Sequence, residues 1–98
     1  MLPTSVDLER LQTVCERYGI ERLDVFGSTA RGSTSPNSDI DLLYTLVPGA
    51  RLGWNIEALN VELTELLGRP VDLVSADGLN PRLRDHILSE ARPFYAAA

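Results

Sequence analysis

Hydrophobic positions recur along the chain with two different periods, and the changes of period mark out its elements. Leu8, Leu11, Cys15 and Tyr18 are spaced at intervals of three and four, with Thr4 or Ser5 placed to cap and Gly19 to stop, which predicts an amphipathic helix over about residues 6–18. Ile20 to Phe26, with Leu23, Val25 and Phe26 ahead of Gly27, reads as a strand. From Ser28 to Gly32 there is room for little more than one helical turn, and the run from Gly32 to Ser38 is dense in turn-forming residues. Alternation then returns over Ser38 to Leu46, with Ile40, Leu42, Tyr44 and Leu46 on one face and Asp39, Asp41, Leu43 and Thr45 on the other. After a loop at Pro48-Gly49, Ile56, Leu59, Leu63, Leu66 and Leu67 predict a second long helix that Gly68 ends. Arg69 to Val74 forms a short third strand. Asn80 and Pro81 then cap and open a last helix, whose buried side is expected to be Leu83, Ile87, Leu88 and Ala91.

Helices that alternate with strands predict an α/β layer, in which a small mixed three-stranded sheet is flanked by about four helices. The chain has 98 residues, enough for one domain over 1–98 and too few apolar side chains for a second core. No apolar run approaches the roughly 20 residues that a bilayer span needs, and the first residues lack the pattern of a signal peptide, so a cytoplasmic location and no membrane partner are expected. The single Cys15 reads as a core thiol, and one cysteine with one histidine offers neither a disulfide nor a zinc site of the usual kind.

A net charge of -5 argues against a domain that grips long nucleic acid directly, since that normally needs a basic face. A small phosphorylated substrate escorted by a divalent cation is compatible with it. All nine basic residues are arginine, which excludes mechanisms that need a lysine, Schiff bases and the phosphate-binding P-loop among them. The string from Gly27 to Ser33 imitates P-loop spacing, but serine stands where that motif needs lysine.

The candidate chemistry lies in the carboxylates. Asp39 and Asp41 are i and i+2 of a strand, roughly 6.6 Å apart at about 3.3 Å per residue, so they point the same way and can share a cation. Two like charges about 4 Å apart cost roughly 1 kcal/mol in water and about 4 kcal/mol at an effective dielectric near 20, and a divalent ion or a raised pKa would offset that. Asp72, between Val71 and Leu73, is a third candidate if its strand neighbours the first two; pairing with Arg69 is the alternative. Three converging carboxylates suit two magnesium ions, with Asp72 as metal ligand or as base for an attacking hydroxyl. By itself Asp-x-Asp is a weak sign, shared with solvated strand edges and metal-dependent glycosyltransferases.

Gly27-Ser28 ends a strand and opens a short helix, so its backbone N–H groups can receive a phosphate, although Gly-Ser is also an ordinary turn. Arg31 reads first as a surface arginine, with contact to a phosphate as the alternative. Ser38 either contacts phosphate or merely ends the loop. Arg82 and Arg84 are read as solvated, His86 alone suggests no catalytic triad, and Trp54, Phe94 and Tyr95 should pack on the domain's own sheet unless they form a docking patch.

Taken together, Gly27-Ser28 followed after ten residues by Asp39-Ile40-Asp41 resembles the signature of the DNA polymerase β-like nucleotidyltransferase superfamily. More narrowly, Phe26 to Gly32, Ser38 to Leu42 and Leu66 to Val74 are similar to the minimal nucleotidyltransferases, in particular the MntA-like antitoxins paired with HEPN toxins. The resemblance implies a nucleotidyltransferase fold, phosphate binding at Gly27 and Ser28, magnesium at Asp39 and Asp41, and a site completed by Asp72. It also implies ATP as substrate and transfer of AMP to a HEPN ribonuclease, commonly on a tyrosine. Two alternatives stand beside this: a non-catalytic antitoxin that neutralises such a partner by binding, and nucleotidyl transfer to a small molecule.

Overall fold

The computed structural model describes residues 8–27 and 39–96. The expected caps Thr4 and Ser5, the short helix at 28–32 and the candidate residues Ser28, Arg31 and Ser38 lie outside them. Helix α1 spans Leu8–Tyr18 and turns Leu11, Val14 and Cys15 inward with Tyr18 packed against the core, whereas Leu8, expected on that side, is 67% exposed in the first turn. Strand β1, Ile20–Val25, pairs antiparallel with β2, Ile40–Leu46, and β2 pairs parallel with β3, Val71–Ser75. Helix α2, Ile56–Leu67, follows a 3-10 turn at Gly53–Asn55 and buries Leu59, Leu63 and Leu67. It ends where Gly68 adopts φ +75° and donates its N–H to the Thr64 carbonyl at 2.8 Å, a left-handed closure that glycine adopts without a steric penalty.

Among the described residues the sheet has four strands, in the order β3-β2-β1-β4, and not the three that the sequence pattern predicts. The fourth, β4, is Arg92–Ala96, which adds antiparallel to the outer edge of β1 with a bulge between Leu23 and Asp24. Its Phe94 and Tyr95 pack on the core as expected. Trp54 does not: it is 99% exposed, because the 3-10 turn that carries it holds no buried residue.

One face of the sheet carries the core. Ile20, Leu23, Val25, Ile40, Leu42, Tyr44 and Val71 join Leu11, Val14, Cys15, Leu59, Leu63 and Leu67 in a single cluster under α1 and α2. Ile20 and Leu23 reach that face although they are three residues apart, because the ladder slips between Ile20 and Arg22, and a bulge adds one residue to the strand. Outside the core, Glu62 of α2 accepts hydrogen bonds from Tyr18 Oη and from Arg17 Nη1, the latter at 2.6 Å, which fastens α1 to α2.

The other face is covered more thinly. Helix α3, Pro81–Glu90, begins at Asn80, whose side chain accepts the Arg82 N–H at 2.9 Å, with Pro81 in the first turn as expected. It joins β3 to β4, strands at opposite edges of the sheet, and so crosses the face that carries Leu43. The burial expected of it does not occur: the helix has no buried residue, and Leu83 and Leu88 are 53% and 45% exposed. Its inner side lines a cleft of about 290 Å³ together with Arg22, Asp24, Leu43 and Thr45, of which Asp24 and Leu43 are buried beneath it. No helix among the described residues is long and apolar enough to cross a membrane.

Candidate active site

The entrance of β2 is fixed from both sides. Ile40 donates its N–H to the Pro70 carbonyl at 2.8 Å, and Phe26 donates to the Asp41 carbonyl at 3.1 Å, so the start of β2 lies between the start of β3 and the end of β1. Ile40 and Leu42 are fully buried in the core, and alternation therefore turns Asp41 to the opposite face. The parallel register sets Asp41 directly against Asp72, and Ile40 against Val71. Adjacent strands lie about 4.8 Å apart, and register partners point to the same side. Two carboxylates thus stand beside each other on the face away from the core, Asp41 half-buried and Asp72 exposed. Asp39, exposed, precedes them by one alternation step at the mouth of the strand.

Gly27 closes this corner. An ideal Cβ built on it would lie 2.8 Å from Asp41 Oδ2 and 3.5 Å from Cγ, and its φ of +61° is left-handed. Any side chain there would meet the carboxylate, so the backbone comes against Asp41 only because residue 27 is glycine. Of the seven site residues expected from the sequence, the structure brings Gly27, Asp41 and Asp72 together at adjoining strand ends, with Asp39 exposed one residue before β2. Among the described residues no group of three or more His, Cys, Asp or Glu side chains is gathered closely enough to hold a metal ion as it stands.

The donor set suits a hard cation. Carboxylate oxygens on neighbouring strands are the ligands magnesium takes, whereas Cys15 is sealed in the core and His86 is exposed on α3 with its Nε2 3.6 Å from Glu90 Oε1. Burial pushes the Cys15 thiol up to about 12, which keeps it protonated and unavailable as a ligand or nucleophile.

One charged residue on this face has no place in the sequence reading. Asp24 is only 4% exposed, and both its oxygens accept from Arg22 Nε, at 2.9 and 3.0 Å. Its ladder partner is Leu43, so it shares the face of Asp41. The available signal was Arg-x-Asp inside a strand, a spacing that sets opposite charges side by side.

Residues 9–94 match the family described as Nucleotidyltransferase domain. The chain is 39% identical over 75 residues to MJ0435 of Methanocaldococcus jannaschii, a candidate protein adenylyltransferase, covering 76% of this chain and 80% of that one. It is 37% identical over 75 residues to the protein adenylyltransferase MntA of Thermococcus cleftensis, covering 76% and 75%. The solved structure of a candidate minimal nucleotidyltransferase superposes with a TM-score of 0.71 at 41% identity, covering 94% of this chain and all of the other. The Shewanella oneidensis complex of a tri-AMPylated HEPN toxin with an MNT antitoxin shares the fold, with a TM-score of 0.62 at 15% identity over 91% and 69% of the two chains. The match from the first helix to the last strand, carried by relatives above one-third identity, means that this chain belongs to the nucleotidyltransferase domain family.

Proposed function

We propose that the chain is a magnesium-dependent nucleotidyltransferase that moves AMP from ATP to a hydroxyl of a HEPN ribonuclease toxin and thereby acts as its antitoxin. The observation that carries this reading is the register of β2 on β3, which sets Asp41 beside Asp72 with Gly27 against Asp41. The acceptor class is supported by the relatives, one named as a protein adenylyltransferase and one found with an AMPylated HEPN toxin.

In this reading Asp39 and Asp41 hold magnesium, with Asp72 completing the site. When bound, the ion neutralises charge on the triphosphate and on the departing pyrophosphate. Gly27 and Ser28 receive phosphate oxygens on their backbone N–H groups. Asp72 takes the proton of the acceptor hydroxyl as that oxygen bonds to the α-phosphorus and the bond from the α-phosphorus to the bridging oxygen breaks, releasing pyrophosphate. Asp72 is exposed and so open to an acceptor that arrives from a partner protein.

Incubation with α-labelled ATP, magnesium and the co-encoded HEPN protein should label that protein, and Asp39→Ala with Asp41→Ala should reduce labelling to background. Equal labelling by the double variant would reject the assigned site. Toxin neutralisation that survives the double variant, at unchanged stability of the complex, would assign the antitoxin effect to occlusion instead.

A further inference from the structure

The outer edge of β3, beside Asp72, carries an open backbone and a groove. Pro70 accepts from Ile40, and Ala76 donates to Tyr44, so the backbone groups of 70, 72, 74 and 76 face β2. Alternation turns those of Val71, Leu73 and Ser75 outward. Two of these carbonyls are already occupied: Asn60 Nδ2 donates to Val71 O at 2.7 Å, and Gly78 N–H donates to Ser75 O at 3.3 Å. Among the described residues nothing pairs with the N–H or the carbonyl of Leu73. Alongside lies a groove of about 460 Å³, walled by Ile56, Asn60, Val61 and Leu73 and bordered by Glu57 and Asp72. Val61 is 56% exposed on its α2 side.

We infer that this edge is the acceptor-docking surface, and that it takes a short extended segment of the acceptor protein as an added strand. The inference rests on the function proposed above, since it names the surface that delivers the hydroxyl to that site. An unpaired N–H and C=O on one edge residue fit the backbone of an extended chain and not the surface of a helix, whose own backbone groups are satisfied. The capped carbonyls on either side limit the pairing to a few residues centred on Leu73. Strand alternation fixes the rest: the residue opposite Leu73 points into the apolar groove, and its neighbour opposite Asp72 points to the carboxylate face. The acceptor Tyr, Ser or Thr is therefore adjacent to an apolar residue. Glu57 and Asp72 at the border exclude acidic residues from the same segment.

Steady-state transfer from ATP to the HEPN protein, compared among wild type, Val61→Glu and Leu73→Pro, tests this. Val61→Glu puts a charge into the groove from an exposed position, and Leu73→Pro removes an N–H that faces away from β2, the one side on which an edge strand tolerates proline. Both should raise KM for the acceptor about tenfold or more, with kcat and Mg-ATP affinity unchanged, and peptide mapping should place the AMP next to an apolar residue. If Leu73→Pro fails to fold, Val61→Glu decides alone. An unchanged KM in Val61→Glu, or an acceptor with no apolar neighbour, overturns the edge while leaving the transferase reading intact. No transfer to the protein by wild type overturns both. Self-association of the free chain that Val61→Glu abolishes would give the edge to a second copy and overturn the inference as well.

Discussion

At residue 27 two demands coincide that could have fallen on different positions. The φ of +61° favours glycine, and the Asp41 carboxylate occupies the space a side chain would need. Gly68 makes a useful contrast, because it has a similar φ of +75° and nothing within 4 Å of an added Cβ. Each Gly→Ala change should lower stability by about 1–2 kcal/mol, the usual strain of a left-handed alanine. Only Gly27→Ala should also slow transfer, because only there must Asp41 give way. Urea unfolding and a transfer assay on the two variants separate these effects; equal activity in both would detach Gly27 from the site. Asp39 and Asp41 were legible at this scale because the alternation of Asp39-Ile40-Asp41-Leu42 assigns a face with no knowledge of neighbours. Asp24 was not legible, since its burial depends on Arg22 beside it and on the helix laid across that face, and neither follows from a periodic pattern.

At the scale of elements, the contact between α1 and α2 carries a pH dependence. The hydrogen bond from Tyr18 holds Glu62 below its ordinary 4.5 against the opposing effect of burial, with a lesser contribution from the nearby Arg17 charge. The same bond, with burial and the Glu62 charge, lifts Tyr18 above its ordinary 10.0. A lowered carboxylate stabilises the fold above 4.5 and loses that contribution as pH falls through the lowered value. A raised phenol stabilises it below 10.0 and loses that contribution as pH climbs through the raised one. The stability difference between wild type and Glu62→Gln should therefore be widest between roughly pH 5 and 9 and narrow on both sides. Denaturant unfolding at several pH values measures it, and a difference that stays constant with pH would assign the contact no electrostatic part. The three α-helices of the described residues and the first three strands could be read from their periods and stops, within a residue or two of where they occur. β4 could not, because Arg92–Ala96 is a short stretch containing Pro93 whose extended form depends on pairing with β1, a strand some seventy positions earlier in sequence. For the same reason the apolar positions of α3 were assigned a buried side that this crossing does not provide.

Over the whole molecule the two faces of the sheet have different tasks. α1 and α2 seal one face into a single core. The other, under a helix with no buried residue, carries Asp41 and Asp24, with Asp72 beside them at the edge strand and Asp39 just ahead of β2. The side chains of the candidate site are aligned by strand register but are not gathered as they stand, so metal and nucleotide must draw them together. Nuclear magnetic resonance of the isotope-labelled chain, with a trace of Mn2+ in place of magnesium and a non-hydrolysable ATP analogue, tests this directly. The amides of Gly27, Asp41 and Asp72 should broaden together and ahead of those at the far ends of β2 and β3. Broadening that spares Asp72, or that centres away from the start of β2, would contradict the account.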